Sequence, residues 1–582
     1  MRLFLPLFLL FFYSNNLYSY ADSPISSSPG AILQYNTNPW AIPKDTLKDS
    51  ADPSNQPPKR EADLPLAPVE YTPATPNAVG SESTVFIERI DVEGATQLSP
   101  KEIRAAVQPY ENRKISFNEA QKLADQLTNM YILAGYINSQ VYIPPQNLAK
   151  GILLLKALEV KVEEVHLEPS RWISPRGILP RIRPKPGELF NLHPLTRSIR
   201  LINENPDIFV KAQLKPGEKS GTSRISLETI SRFPLHVTPF WDNLGRENIG
   251  FQRYGVTVTH NNLTGLGDIN TLSWNTSKRA QAIINQYSLP VGPYGTQLGL
   301  DFAYSKVRLG GELKPLEIVS SSRVVSPAIR QALWKNDRFG VNTELAFDFK
   351  DLNTNLLGNR FQSDQVRIIR PSVSGYLNDR SGRINWNQEI GIGIPGFGGS
   401  TGDSGLASKP GSGTRFLRLN GTVTRIQKLP LGTTGVLRAR YQYSPDRLLS
   451  VEQFQAGGAF TVRGYREGNS IGDSGYVFNA ELYTPLLFFI KPTTKIRRLQ
   501  NIRRLVNSRI QVVGFSDMAQ LYTNRPKSGE FRRTKLMSYG VGLRLQLNRY
   551  LVLRTDVGFP IFRQSGIVNN PRFHFGLQST LF

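Results

Sequence analysis

The chain of 582 residues contains no cysteine. Disulfides, thiolate nucleophiles and cysteine-based zinc sites are thereby excluded together, and the absence suits an oxidising compartment. Long apolar runs are also missing. Beyond the N-terminus none reaches the roughly 20 residues that a spanning helix requires, which argues against an α-helical membrane protein. A β-barrel remains open, because its strands alternate in polarity and escape hydropathy scans. Histidine is scarce: His166, His193, His236, His260 and His574 are scattered and form no His-Glu-x-x-His. There is no Gly-x-Ser-x-Gly elbow and no Gly-x-x-x-x-Gly-Lys-Ser/Thr loop for a nucleotide. Glu163 and Glu164 are neighbours on an expected strand and would face opposite ways. No catalytic residue, metal site or cofactor is expected.

Acidic residues are outnumbered, 46 against 70 basic ones, for a net charge of +24. Such a balance suggests nucleic acid, but the N-terminus points elsewhere. Met1-Arg2 precedes an apolar run from Leu3 to Tyr13, and Ser19-Tyr20-Ala21 stands before Asp22. That is the pattern of a cleavable secretory signal over residues 1–21. An exported chain has no evident access to nucleic acid, and the excess charge reads as a solvated or lumen-facing cationic surface.

Residues 22–83 are rich in Pro, Ser, Asp and Asn and read as a linker, with room for a short plug segment near Ala31-Ile32-Leu33. From residue 84 the pattern changes. Val85 to Val92 predicts a strand. Ser99, Pro100 and Glu102 open a helix as N-cap, N1 and N3. A second helix is expected from about Ser116 to Ala134, with Ala120, Leu123, Ala124, Leu127 and Tyr131 on one face, then strands near Ser139–Ile143 and Ile152–Leu158. The β-α-α-β-β order repeats after roughly 70 residues. A strand at Val160–Leu167, a short helix at Ser174–Leu179, a helix at Pro194–Asn203 and strands near Phe209–Leu214 and Arg224–Thr229 form the second unit. Gly94 and Gly187 are placed at similar turns. The divisions are 84–159 and 160–231.

Residues 232–582 alternate with a period of two. Leu298, Leu300, Phe302 and Tyr304 interleave with Gly299, Asp301, Ala303 and Ser305. Val541, Leu543, Leu545 and Leu547 interleave with Gly542, Arg544 and Gln546, and Leu551, Leu553, Thr555, Val557 and Phe559 with Val552, Arg554, Asp556 and Gly558. One face suits lipid and the other a lumen. About 350 residues supply roughly 16 antiparallel strands at about 22 residues each, within the range of membrane barrels. The chain ends in Phe582, as bacterial outer-membrane barrels commonly do, although Phe573, Phe575, Leu577 and Leu581 hold the other parity.

Within this region stand Thr461-Val462-Arg463-Gly464-Tyr465, then Gly472-Asp473-Ser474-Gly475, then Asn479-Ala480-Glu481-Leu482. The set resembles the sixth-loop signature of the TpsB transporters of two-partner secretion, in the superfamily that includes BamA and the chloroplast envelope import channel. Trp241-Asp242-Asn243-Leu244-Gly245, and Leu263 to Gly267 before Asp268, resemble the opening strands of that barrel. Gly514-Phe515-Ser516-Asp517 resembles its Phe-x-Asp-x-Gly motif, with Ala519 where the family has Gly. The two β-α-α-β-β units resemble POTRA domains, in the number typical of TpsB proteins. The resemblance covers essentially everything after residue 84.

It implies that the loop of Val462, Arg463, Gly464, Tyr465, Gly472, Asp473 and Gly475 folds back into the lumen, where Arg463 meets Asp517 beside Phe515 on the wall. An arginine enclosed in a barrel needs a carboxylate, and its planar fork suits two-point pairing. The implied protein is an outer-membrane exporter with its N-terminal units in the periplasm. Its partner would be an unfolded exoprotein with an N-terminal secretion domain; its surroundings are a lipid bilayer, with no nucleic acid. An assembly or import factor of the same superfamily is the alternative. The basic stretch Lys491–Arg509, with Lys495, Arg497, Arg498, Arg503, Arg504 and Arg509, falls in a periplasmic connection unusually long for a barrel. It reads first as a solvated insert, and otherwise as a site for anionic headgroups or an acidic substrate segment.

Overall fold

A computed structural model describes residues 84–400, 405–488, 497–548, 550–562 and 570–581. The expected signal, linker and plug segment lie outside the described residues, as does Phe582.

Two α+β units come first. In the first, Arg89–Glu93 pairs parallel with Ile152–Leu158, which pairs antiparallel with Gln140–Tyr142. Helices Pro100–Val107 and Phe117–Leu133 cover this sheet. Both open on a capping box, Ser99 with Glu102 and Ser116 with Glu119, which satisfies N–H groups that the first turn would otherwise leave bare. Leu123, Ala124, Leu127 and Tyr131, at helical spacing, bury completely against Leu153 and Leu155. The second unit repeats the topology: Lys161–Leu167 lies parallel to Thr222–Ser231, which is antiparallel to Ile208–Pro216. Its helices are Pro175–Ile178 and Leu192–Ile202, over a separate core that includes Ile178, Phe190, Leu195 and Ile202.

Two details differ from expectation. The run Val85 to Val92 is not one strand. Thr84–Ile87 pairs with Arg113–Ser116, and after Glu88 the chain turns to a different sheet. The apolar parity switches across the break, from Val85 and Ile87 to Ile90 and Val92, so that Ile87 and Ile90, three apart, are both buried. Gly94 and Gly187 are also not equivalent. Gly94 follows the first strand of its sheet, whereas Gly187 precedes the second helix of its unit by five residues, with a φ of 86°. The matching position in the first unit is Asn112, five residues before Phe117, with a φ of 56°. Asparagine is among the few non-glycine residues that tolerate this region, and the equivalence is invisible to a search for glycine.

From Leu235 the chain forms a closed barrel of sixteen antiparallel strands, each beside its sequence neighbour, from Leu235–Asp242 to Arg572–Ser579. Closure is by the pairs Gly576 with Asp242, Leu577 with Trp241 and Gln578 with Phe240. Alternation sorts the two faces as expected. Leu298, Leu300, Val541 and Phe573 are exposed outside, whereas Ala303, Ser305, Asp556 and His574 are buried inside. The second α+β unit is fastened to one end of the barrel. Asp207 accepts from Asn261 Nδ2 and lies beside His236 Nε2, both at 2.7 Å, and Arg197 and Arg200 donate to the carbonyls of Ala332 and Lys335 at 2.7 and 3.0 Å. Residues 444–473 leave the barrel from the opposite end.

Candidate functional site: a loop held in the lumen by two ionic clasps

Residues 444–473 connect the strands Thr434–Tyr443 and Ser474–Pro485. The segment folds inward around a small hairpin, Phe454–Ala456 with Ser470–Gly472. Val462 and Tyr465 are buried in a cluster with Val477, Ala519, Leu521 and Leu536 of the wall. Ala519, where the family has Gly, contributes its methyl group to this packing.

Arg463 sits at the tip, 2% exposed on its side chain. Its Nε and Nη2 each donate to Asp517 at 2.7 Å in a two-point pair, and its main-chain N–H donates to Asp517 Oδ2 at 3.1 Å. Nη1 makes an ion-pair contact with Glu481 at 2.6 Å that is not an aligned hydrogen bond. The guanidinium also lies 3.5 Å from the centre of the Phe515 ring, a cation–π placement favoured where water is excluded. Asn479 Nδ2 donates to Asp517 Oδ1 at 2.8 Å and to the Thr461 carbonyl at 2.5 Å. The barrel register explains this convergence. Asn479 lies opposite Asp517 and Glu481 opposite Phe515, and directly opposed residues of an antiparallel pair share a face.

Asp556 extends the cluster. It pairs with Arg544 at 2.9 Å and with Arg554 at 2.8 Å, and lies 3.7 Å from Arg463. Asp517, Glu481 and Asp556 thus meet Arg463, Arg544 and Arg554 in one network, and Arg438, opposite Asn479, adds a further positive charge nearby.

Gly464 has a φ of 91°, and a Cβ there would approach the Gly558 carbonyl to 2.9 Å. A Cβ on Gly558 would approach the Gly464 nitrogen to 2.5 Å. Two glycines face each other, so loop backbone lies directly on wall backbone. The Tyr465 hydroxyl stands 3.0 Å from the carbonyls of Met537 and Phe562 and accepts from their N–H groups at 3.3 and 3.2 Å. It thereby ties the ends of two neighbouring strands.

Asp473 is fully buried and accepts from Gln453 Nε2 at 2.7 Å, Leu448 N–H at 3.1 Å, Asn524 N–H at 2.7 Å and Lys409 Nζ at 3.2 Å. It joins the start and end of the loop to two other loops. Gly472 and Gly475 flank it where a Cβ would come within 2.8 Å of the carbonyls of Tyr522 and Gln520.

A second clasp escaped sequence reasoning. Glu452, on the same loop, is fully buried between Lys350, at 3.0 Å, and Arg418. Arg418 also pairs with Glu389 at 2.9 Å, and Arg370 bridges Glu389 and Asp348 at 3.3 and 3.1 Å. Arg370 also reaches Glu344 at 3.3 Å, which pairs with Arg330 at 2.5 Å, so the network continues across the neighbouring strands. The loop therefore offers a base to one arc of the wall and an acid to another. The available signal was the inward parity of Asp348, Lys350 and Arg370, each on a strand whose other face is apolar. Gly558 likewise has inward parity, which by itself identifies no partner.

A barrel with an inward-locked loop and two α+β units at one end has the architecture of an outer-membrane transporter of the POTRA-barrel type. Comparison with known proteins narrows this. The model of the haemolysin secretion/activation protein family ShlB/FhaC/HecB matches residues 221–545, and that of the ShlB-type POTRA domain matches residues 85–159. The outer membrane transporter CdiB of Escherichia coli O6:K15:H31 (strain 536 / UPEC) is 26% identical over 461 residues, 73% of each chain. The hemolysin transporter protein ShlB of Serratia marcescens is 25% identical over 434 residues, 69% of this chain and 73% of that one. In structure, CdiB from Escherichia coli superimposes with a TM-score of 0.69 at 20% identity, over 92% of this chain and 95% of the other. The chain belongs to the ShlB/FhaC/HecB family. It is a TpsB-type transporter of the outer membrane that secretes a partner exoprotein, with its POTRA region in the periplasm.

Proposed function

We propose that the two units, 84–159 and 160–231, receive an unfolded exoprotein through its N-terminal secretion domain, and that the barrel, 232–582, passes it outward once the loop has left the lumen. The observation that carries this reading is the doubly clasped loop. A permanent plug needs only packing, whereas a loop held through ionic pairs on two arcs is released when water or the charged groups of a passing chain replace those pairs. The sheets of the POTRA units suit an extended chain, which adds as a strand through main-chain hydrogen bonds and demands little of its sequence. Val462, Arg463, Gly464 and Tyr465, with Asp473 between Gly472 and Gly475, form the loop side of the latch; Phe515 and Asp517 form the wall side. No step is assigned to catalysis. With no nucleotide motif in the sequence, folding of the partner outside the cell supplies the direction of transport.

The test is a strain carrying Arg463→Ala in place of the native gene. The expected result is loss of one large protein from the culture medium while the barrel itself assembles and other outer-membrane proteins stay at normal levels. General depletion of outer-membrane barrels would mean an assembly factor and would overturn the reading.

A further inference from the structure

The connection between the strands Ser474–Pro485 and Ile510–Tyr522 lies at the periplasmic end and contains an eleven-residue helix, Arg497–Asn507. Barrels of this class usually make short turns on that side, so a helix there requires a reason. Its sequence sets Leu499, Ile502, Leu505 and Val506 on one side, a spacing that forms a single apolar stripe. In a helix folded onto the protein this stripe would be covered. Instead Leu499, Ile502 and Leu505 are 37%, 42% and 56% exposed.

The helix is tethered where the lipid-facing surface of the barrel ends. Asn507 Oδ1 accepts from the Leu487 N–H at 2.8 Å, and the Arg509 carbonyl accepts from the Gln546 N–H at 2.8 Å. Leu482 and Leu486, outward-facing and exposed on the adjoining strand and just beyond its end, lead to this point, with Val512 beside them. The apolar stripe thus continues a surface already in contact with acyl chains. Charge adds a second argument. Residues 491–509 carry seven basic residues and no acidic one.

We propose that Arg497–Asn507 is an interfacial anchor. It lies along the periplasmic leaflet of the outer membrane with Leu499, Ile502, Leu505 and Val506 in the acyl-chain boundary and the exposed Arg498 and Arg504 on the phosphates of anionic phospholipids. A helix with an apolar face, a basic polar face and low overall hydrophobicity has this behaviour, and Arg498, which falls between Ile502 and Leu505 within the stripe, can extend its charge outward while its methylenes stay in the apolar layer. The anchor would hold in register with the membrane the two strands whose inner faces carry Glu481 and Asp517.

Because the native chain has no cysteine, Ile502→Cys and Asn501→Cys each provide a unique site for a nitroxide in the full-length protein. The labelled proteins are reconstituted in vesicles of phosphatidylethanolamine with phosphatidylglycerol, and in vesicles of phosphatidylcholine alone. Collision with oxygen and with a water-soluble nickel chelate is read by electron paramagnetic resonance, and heat-modifiable migration verifies barrel folding. At 502, oxygen accessibility should exceed nickel accessibility several-fold, and at 501, on the polar side, the order should reverse. Without anionic lipid the label at 502 should become shallower. Nickel accessibility at 502 equal to that at 501 in both vesicles would overturn the anchor and leave the helix facing water or awaiting an acidic polypeptide. Equal depth in the two vesicles would overturn the role given to anionic headgroups.

Discussion

Removing the Arg463 side chain tests the central geometry most directly. Asp517 is fully buried and takes both oxygens' strongest partners from that one guanidinium, at 2.7 Å each. After Arg463→Ala it keeps Asn479 Nδ2 and one main-chain N–H, neither of which carries charge, and the base paired with it is gone. Breaking a buried pair by deleting one member costs about 3–5 kcal/mol. The stacking on Phe515 is part of the same loss, since contacts sharing one side chain do not add. At about 1.4 kcal/mol per decade, the ratio of docked to released loop should fall by roughly 10²- to 10⁴-fold. Protease access to residues 444–473 on whole cells reads this ratio, and single-channel conductance in planar bilayers reads the unplugged lumen. Exoprotein in the medium reads the consequence for transport. Asp517→Asn and the double variant complete the cycle, and their coupling should be at least about 2 kcal/mol. Two outcomes together would refute the reasoning: a loop as protected in Arg463→Ala as in the native protein, and single effects additive to within about 0.5 kcal/mol.

Four further outcomes are expected. Glu452→Gln leaves Lys350 and Arg418 short of a carboxylate and should weaken loop docking by about 3–5 kcal/mol, and conductance of the double variant with Arg463→Ala should exceed that of either single one. Gly558→Ala, remote in sequence from the loop, should reproduce the protease sensitivity of Gly464→Ala because each methyl group meets the other's backbone; a native-like loop in Gly558→Ala would contradict that contact. Tyr465→Phe removes an acceptor shared by two main-chain N–H groups and should cost about 1–3 kcal/mol, visible as faster hydrogen exchange at Met537 and Phe562. In the first POTRA unit, burial pushes the Glu159 carboxyl up, but hydrogen bonds from the side chains of Thr96 and Tyr131 and from the main-chain N–H groups of Thr96 and Gln97 outweigh it and hold it below its ordinary value. Its unfolded form thus binds the proton first as pH falls, so its stabilisation is present above the usual carboxylate range and is lost as pH drops through the lowered value. Hydrogen exchange of the full-length protein should show this unit loosening with acid, and Glu159→Gln should flatten that response.

The sequence by itself determined the local chemistry. Capping boxes at Ser99 and Ser116, the buried stripe from Ala120 to Tyr131 and the two-residue alternation of the barrel strands depend on neighbours within a few positions. Alternation also determined which residues face inward, because a strand offers only two sides. It could not choose partners across the lumen. Arg463 meets carboxylates from three strands, Glu452 was one acid among many, and Gly558 matters only because Gly464 lies against it. Such pairings depend on strand register and on the path of the returning loop, which are properties of the closed barrel rather than of any segment. The equivalence of Asn112 with Gly187 belongs to the same class, since it shows only when the two units are compared in space. Closure itself, Gly576 beside Asp242, joins positions more than three hundred residues apart, and only the complete circle of main-chain hydrogen bonds selects that pair.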